Sequence, residues 1–280
     1  MKNKSIFLAV VLAVSLGLAG PASAQSRFGF KLGGGLAYVD GGDINTGLQG
    51  YMDYIGDMFE HIFPVDAEGG YEPFHLGMNF DGEIFYQVTP KFAIGLGVGY
   101  FSMTQESTLT FSVLSSTLNM LWTPKVAAIP LTLNLHYYVP MGKNLNLVLT
   151  AGAGWYFARY DLEESQEGRT DRLETTGGGF GAHGGLGLEL AITKNFFLTL
   201  DILGRYARVG ELTGSWDYEP ETEGKVWFFD ADMDTLDLGK YSIVVWDEGV
   251  PSGEVEITNL RKARLGLSGF SAVIGFLVRI

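Results

Sequence analysis

The chain has 280 residues and a formal net charge of −13, with 32 acidic against 19 basic side chains. This acidic balance excludes nucleic acid as a natural partner, because a phosphate backbone is bound by cationic surfaces. The chain contains no cysteine, which excludes disulfides and thiolate metal sites.

The N-terminal residues have the pattern of a secretory signal peptide. A basic start and an apolar run are followed by the small-residue sequence Ala22-Ser23-Ala24. We therefore predict a cleaved signal peptide at 1–24 and a single domain at 25–280. Beyond the signal no apolar run reaches the roughly 18 residues that a membrane-spanning helix needs, so export leads past the inner membrane.

Between Lys91 and Tyr100, large apolar residues alternate with alanine and glycine. A half-buried strand of a soluble protein would carry polar side chains opposite its apolar face. A strand of a narrow β-barrel in lipid instead needs apolar residues outside and small ones inside. Similar alternation recurs along the chain and predicts an all-β fold, a transmembrane, antiparallel, up-and-down β-barrel of eight strands. The predicted strands are 27–39, 74–88, 91–104, 127–139, 145–160, 180–193, 196–209 and 264–280.

The connections between these strands alternate between short and long. The long links 40–73, 161–179 and 210–263 contain 27 of the 32 acidic residues, and a fourth long link covers 105–126. Short periplasmic turns and long outer loops are typical of bacterial outer-membrane barrels. We therefore predict the outer membrane as the location, acidic outer loops, and both chain termini on the periplasmic side.

The first long link contains an amphipathic helical period. Apolar residues recur there at steps of three and four residues, which predicts a helix over 47–63. Asn45 or Thr46 is the expected cap, and Pro64 the expected end. The helix either packs on the other outer loops or forms a lid that contacts a small apolar ligand at the barrel mouth. The residues expected to form the lid or contact the ligand are Tyr51, Met52, Ile55, Met58 and Phe59.

Charged residues on the inward faces of the strands form a second candidate site. An eight-stranded barrel is only wide enough to hold side chains, and buried charges are tolerated when they are paired. We expect a charge network that closes the periplasmic side of the lumen, and a gated polar path is the alternative. The glycine faces are expected to leave room nearer the outer end. The network residues are Lys31, Asp81, Glu83, Glu189, Asp201, Arg205 and Arg279.

The segments Ile129–Tyr138 and Ala151–Tyr156 and the closing strand Gly269–Ile280 carry a family likeness. In these segments the chain resembles the small eight-stranded outer-membrane protein β-barrel superfamily, which includes relatives of outer membrane proteins A, X and W. The resemblance implies contact with outer-membrane lipids and lipopolysaccharide and insertion by the barrel-insertion machinery. Such proteins usually end in an aromatic residue that this machinery reads, whereas this chain ends in Ile280.

The favoured function is a non-catalytic structural or surface-interaction role, as a monomer without cofactors. The alternatives are passive transport or binding of small apolar molecules at the outer mouth and, third, a lipid A-modifying enzyme. His61, His75, His136 and His183 have no serine close in sequence, so no catalytic residue is assigned. Asp230–Asp237 begins like a calcium loop but lacks its glycine and final glutamate, so no metal site is predicted. The segments Lys225–Phe229 and Tyr241–Trp246 could equally form a β-hairpin that lengthens the barrel above the membrane.

Overall fold

The computed structural model describes residues 27–63, 65–113, 116–217, 222–233, 238–252 and 255–280. The predicted signal peptide at 1–24 lies outside these residues. In the described part of the chain, no helix is both long enough and apolar enough to cross a membrane.

The described residues form thirteen strands and one helix. In chain order these are β1 (Phe28–Gly42), α1 (Asp43–Ile62), β2 (Asp66–Gly70), β3 (Leu76–Thr89), β4 (Phe92–Thr104), β5 (Ser107–Val113), β6 (Ser116–Pro140), β7 (Leu145–Gln166), β8 (Arg169–Ala191), β9 (Phe196–Trp216), β10 (Thr222–Asp232), β11 (Lys240–Asp247), β12 (Glu256–Lys262) and β13 (Leu265–Arg279). The chain is therefore all-β apart from one helix in the first long connection.

All thirteen strands belong to one antiparallel sheet. The pairing runs β1–β3–β4–β6–β7–β8–β9–β13 and returns from β13 to β1, so eight strands are linked in a ring. The other five strands pair at one end of this ring, as β2 with β5, β5 with β6, and β10 with β9, β11 and β12.

The predicted count of eight strands is therefore too low for the sheet as a whole, because the links that were predicted as long outer loops contain further strands. The link 105–126 contains β5 and the first part of β6, and 161–179 is the paired end of β7 and β8. The link 210–263 contains the end of β9 and all of β10, β11 and β12. Most of these strands pair with a strand close in sequence, as β5 does with β6, β7 with β8 and β10 with β11. They are polar on one face, so alternation alone did not separate them from solvated loops.

The described structure has two parts that differ in whether the outer or the inner face of the strands is apolar. The first part, here called the belt, carries large apolar side chains on its outer face, such as Leu96 (68% exposed) and Ile274 (64% exposed). It consists of residues 28–38, 76–88, 92–100, 129–139, 145–157, 178–192, 196–206 and 270–280. The second part, here called the extension, consists of the described residues of 39–75, 101–128, 158–177 and 207–268. β6 is 25 residues long, more than twice the roughly 10 residues that cross a bilayer, so its strand belongs to both parts.

The interior of the extension is an apolar core. Phe101, Phe111, Trp122 and Tyr160 are each at most 2% exposed and belong to one cluster of buried side chains. The amphipathic helix α1 contributes to the same cluster through Met52 and its neighbours. Its apolar face therefore packs against the inward faces of strands, as its helical period predicts.

The helix begins at Asp43, four residues before the predicted start, and no side chain caps its first turn. Gly42, the residue directly before the helix, has a positive φ of 61°, which favours glycine. The predicted caps were wrong: Asn45 donates to the carbonyls of Asp40 and Phe74, and Thr46 donates to the carbonyl of Gly42. The predicted end, Pro64, lies outside the described residues.

Candidate functional site

Glycines of β4 face the inside of the belt, where they admit side chains from neighbouring strands. A Cβ at Gly95 would clash with the Glu83 carboxylate, and one at Gly99 would lie 3.0 Å from Asp81 Oδ1. The carboxylates of Glu83 and Asp81 therefore take up part of the room that these glycines were expected to leave, and Gly97 and Gly99 still line a small cavity. Inward carboxylates occupy the space at the level of the belt, and the apolar core of the extension fills the interior above it.

Four of the seven predicted network residues form two ion pairs inside the belt. Lys31 Nζ lies 2.8 Å from Asp201 Oδ2, and Arg279 donates to Glu189 Oε2 over 2.6 Å. Glu189 and Asp201 are each only 4% exposed. Because a buried unpaired charge is strongly destabilising, these two pairings are what allow the four groups to lie inside.

Glu83 is paired with a histidine rather than with a predicted network base. His136 Nε2 lies 2.7 Å from Glu83 Oε1, while its Nδ1 lies 3.0 Å from Thr150 Oγ1. The predicted charge network did not include His136. The missed signal was the register: Glu83 and His136 face the same interior from β3 and β6, on either side of the glycine-rich β4.

Asp81 and Arg205, the remaining two predicted residues, make other contacts. Asn79 donates to Asp81 Oδ2 over 2.7 Å. Arg205 donates through Nε to the carbonyl of Leu267 over 2.8 Å, and its Cζ lies 4.6 Å from the centre of the Phe101 ring. Arg205 therefore lies where the polar interior of the belt meets the apolar core of the extension.

A cavity of about 90 Å³ remains among these side chains. Its lining includes Lys31, Asp81, Glu83, His136 and Asp201. A polar space of this volume has room for a few water molecules and ample hydrogen-bond partners for them. Polar side chains from seven of the eight ring strands, all but the glycine-rich β4, thus enclose a small polar chamber.

An apolar layer lies at the end of the belt where the short turns are, and the sequence reading missed it. Phe85, Tyr138, Phe197 and Leu277 are buried there together and at most 7% exposed. Arg279 lies against this layer, with its Cζ 4.3 Å from the centre of the Phe197 ring. The signal was present in the sequence, because each of the four lies between two outward apolar residues in an apolar run of three.

The predicted lid residues lie on α1 and pack against the extension. Met52 is 1% exposed, and Phe59 stacks on Phe111 with ring centres 4.4 Å apart. Tyr51 and Ile55 are partly buried against the same core, and Met58 is half-buried. Burial raises the pKa of the Tyr51 hydroxyl to about 12.

Three of the four histidines, His75, His136 and His183, contact groups other than serine. His75 Nδ1 lies 2.7 Å from the carbonyl of Val39, and His183 Nε2 lies 2.9 Å from Asn134 Oδ1. Within the same residues, no group of three His, Asp or Glu side chains is arranged to hold a metal ion. The predicted calcium-like segment is described only in part, and its Asp230 accepts from Ser242 and Asn259.

Comparison with known proteins yields one family. The family model described as Outer membrane protein beta-barrel domain matches residues 8–225. No curated protein matches the chain.

Proposed function

The chain belongs to the outer membrane protein beta-barrel domain family, and from this premise we propose that its ring of eight strands is a transmembrane barrel that does not conduct. Membership of this family identifies the chain as an outer-membrane β-barrel protein. The proposal adds the number of spanning strands, the state of the lumen and the role of the extension.

The outer face of the belt supports spanning by all eight strands. Every ring strand carries exposed large apolar side chains on this face, among them Leu36, Phe80, Leu133, Leu186 and Ile202. Such side chains are stable against lipid and costly against water. An even number of strands then places both chain ends on the same side, and the short turns make that side periplasmic.

The apolar layer at the turn end of the belt is the observation that carries the proposal of a closed lumen. Ions crossing the barrel would have to pass Phe85, Tyr138, Phe197 and Leu277, which are packed together. Above this layer the charges are paired, and above them the core of the extension fills the ring. An apolar constriction without water opposes the passage of ions.

The extension supports a structural or surface-interaction role without catalysis. Its outward charges include the exposed carboxylates of Asp66 and Glu68, and an acidic surface above the membrane favours contact with cations and basic partners. We propose that the protein acts as a monomer in contact with outer-membrane lipids and lipopolysaccharide, after insertion by the barrel-insertion machinery. Lipid A mass spectra of cells with and without the protein should then be identical.

Planar-bilayer recordings test the closed lumen. The wild-type protein should give no conductance steps, whereas the double variant Phe85→Ala/Phe197→Ala should give small ones because it empties the apolar layer. Phe276→Ala is the matched control, since Phe276 is 48% exposed on the outer face and its loss leaves the lumen unchanged. Reproducible steps from the wild-type protein would refute the proposal.

A further inference from the structure

A groove lies on the outward side of the ring where the belt meets the extension, between β1, β9 and β13. It has a volume of about 400 Å³, and Asp40, Asp43, Arg208, Arg261, Arg264 and Gly266 line it. The groove thus combines three arginines with two carboxylates in a chain of net charge −13. The groove is therefore locally basic, although the protein as a whole is acidic.

One of the three arginines is neutralised inside the groove. Arg261 donates to Asp43 Oδ1 over 2.8 Å and to Oδ2 over 3.3 Å, and its Cζ lies 4.1 Å from the centre of the Phe228 ring. Asp43 also accepts the backbone N–H of Arg264 over 3.0 Å. Arg261 and Asp43 therefore form a fixed wall that leaves little charge for a ligand.

The guanidinium groups of Arg208 and Arg264 are exposed and differ from that of Arg261. Among the described residues, no carboxylate oxygen lies within ion-pair distance of either guanidinium. Asp40 lines the same groove, and burial raises the pKa of its carboxyl, while the charge of Arg208 opposes the rise. Asp40 therefore reduces the positive charge of the pair without neutralising both groups.

The height of the groove is that of lipid headgroups. Arg208 follows Tyr206, which is 60% exposed on the same outward face, and its Cζ lies 5.3 Å from the centre of that ring. Tyr38 and Phe270 stack beside it, with ring centres 5.2 Å apart. Exposed aromatic rings mark the interface of a membrane barrel. Arg208, two residues beyond Tyr206 on a tilted strand, therefore lies roughly 5 Å further from the membrane centre than this ring.

Basic residues elsewhere at this height are already paired. On β6, Lys125 lies 2.8 Å from Glu163, and on β7, Arg159 lies 2.8 Å from Asp161 and 2.9 Å from Glu174. The unneutralised basic charge at the headgroup level is therefore concentrated on the β1–β9–β13 side.

We propose that Arg208 and Arg264 bind a phosphate group of an outer-leaflet phosphoglycolipid in this groove. Guanidinium groups bind phosphate oxygens through paired hydrogen bonds, and the lipid is favoured over free phosphate because the groove opens directly above the apolar belt. This inference rests on the proposed membrane insertion of the ring and adds the lipid class and its contact residues.

The test uses the mature full-length protein in phosphatidylcholine vesicles doped with either diphosphoryl lipid A or its dephosphorylated form. Native mass spectrometry after gentle detergent extraction measures the lipid that stays bound. The wild-type protein should retain the diphosphoryl form preferentially, and Arg208→Gln/Arg264→Gln should reduce that retention about tenfold. The matched control Lys125→Gln/Arg159→Gln removes the same charge from paired residues and should retain the lipid like the wild type.

Equal retention of both lipid forms by the wild-type protein would overturn the phosphate site even if the arginine variant failed to fold. Unchanged retention by a folded arginine variant would overturn it as well. Displacement of the lipid by sodium phosphate at low concentration would assign the groove to free phosphate instead. Flotation of the wild-type protein with the vesicles tests membrane insertion separately, so failure of the proposed function is distinguishable from failure of the lipid site.

Discussion

The belt and the extension share most of the eight ring strands but have opposite polarity. In the belt the outer face is apolar, as at Leu96, and the inner face holds buried charges such as Glu189. In the extension the inner face is apolar, as at Trp122, and the outer face carries charges such as Arg159, which is 49% exposed. The proposed membrane insertion explains the inversion, because it surrounds the belt with lipid and leaves the extension in water. One strand such as β6 therefore changes its apolar face along its length.

The largest expected effect comes from the core of the extension. Phe111→Ala should destabilise the extension by about 3–5 kcal/mol, because it removes a fully buried ring that stacks on Phe59 of the helix. Limited proteolysis of the vesicle-embedded protein should then cut the extension while the belt stays protected. Thr108→Ala, at an exposed position of the same strand, is the control and should resemble the wild type. Loss of the whole barrel in Phe111→Ala would show that the two parts do not unfold separately.

The next effect concerns the outer face of the belt. Leu96→Arg should destabilise the protein in vesicles by about 2–4 kcal/mol, because it places a charge in the middle of the lipid-facing surface. Thr108→Arg places the same charge on the outer face of the extension and should cost less than about 0.5 kcal/mol. Urea titration followed by tryptophan fluorescence measures both. Equal costs at the two positions would contradict the inversion of polarity.

Two glycines of α1 test how the helix is attached to the extension. A Cβ at Gly50 would clash with the carbonyl oxygen of Ser242 on β11, so Gly50→Ala should destabilise the extension by about 1–3 kcal/mol. At Gly56 the nearest atom to a new Cβ is Ala67 Cβ at 4.0 Å, so Gly56→Ala should stabilise it by about 0.5–1 kcal/mol. Protease resistance of the extension measures both changes. The same sign for both variants would argue against the packing of α1 on β11.

The smallest effect is a pH dependence in the extension. Burial raises the pKa of the Glu164 carboxyl from its usual 4.5 to about 7, although the neighbouring Trp122 indole opposes the rise. A carboxyl with a raised pKa in the folded state lowers stability as the pH rises from its unfolded to its folded pKa. Glu164→Gln should therefore stabilise the extension by about 1–2 kcal/mol at about pH 8 and have little effect at about pH 4.

Glu163→Gln is the control for this pH dependence. Glu163 is hydrogen-bonded to Lys125, which lowers the pKa of its carboxyl. A carboxyl with a lowered pKa contributes stability above its unfolded pKa, and that contribution is lost as the pH falls. The control should therefore be slightly destabilising near neutral pH, opposite in sign to Glu164→Gln. Melting temperatures of both variants across this pH range measure the difference, and matching profiles would contradict the burial of Glu164.

Much of the belt was predictable from sequence. Alternation in the segment Lys91–Tyr100 predicted its exposed apolar face, and the same pattern predicted the inward, buried position of Glu189 and Asp201. The partner of Glu83 was not predictable in the same way, because His136 is 53 residues away and reaches it across β4. Alternation tells which face a side chain occupies, whereas its contact across a ring depends on the register of every strand between.

By itself the sequence determined the all-β class, the outer-membrane family likeness, the amphipathic period of the first connection and the inward charged set. Only the tertiary structure decided that every long connection contains paired strands, beyond the one hairpin that the last connection offered, and that α1 completes an apolar core above the belt. It also brought Phe85, Tyr138, Phe197 and Leu277 into one layer at the turn end. The physical reason is range: a period of two is a local property of the chain, while layers inside a ring are formed by residues from strands far apart in sequence.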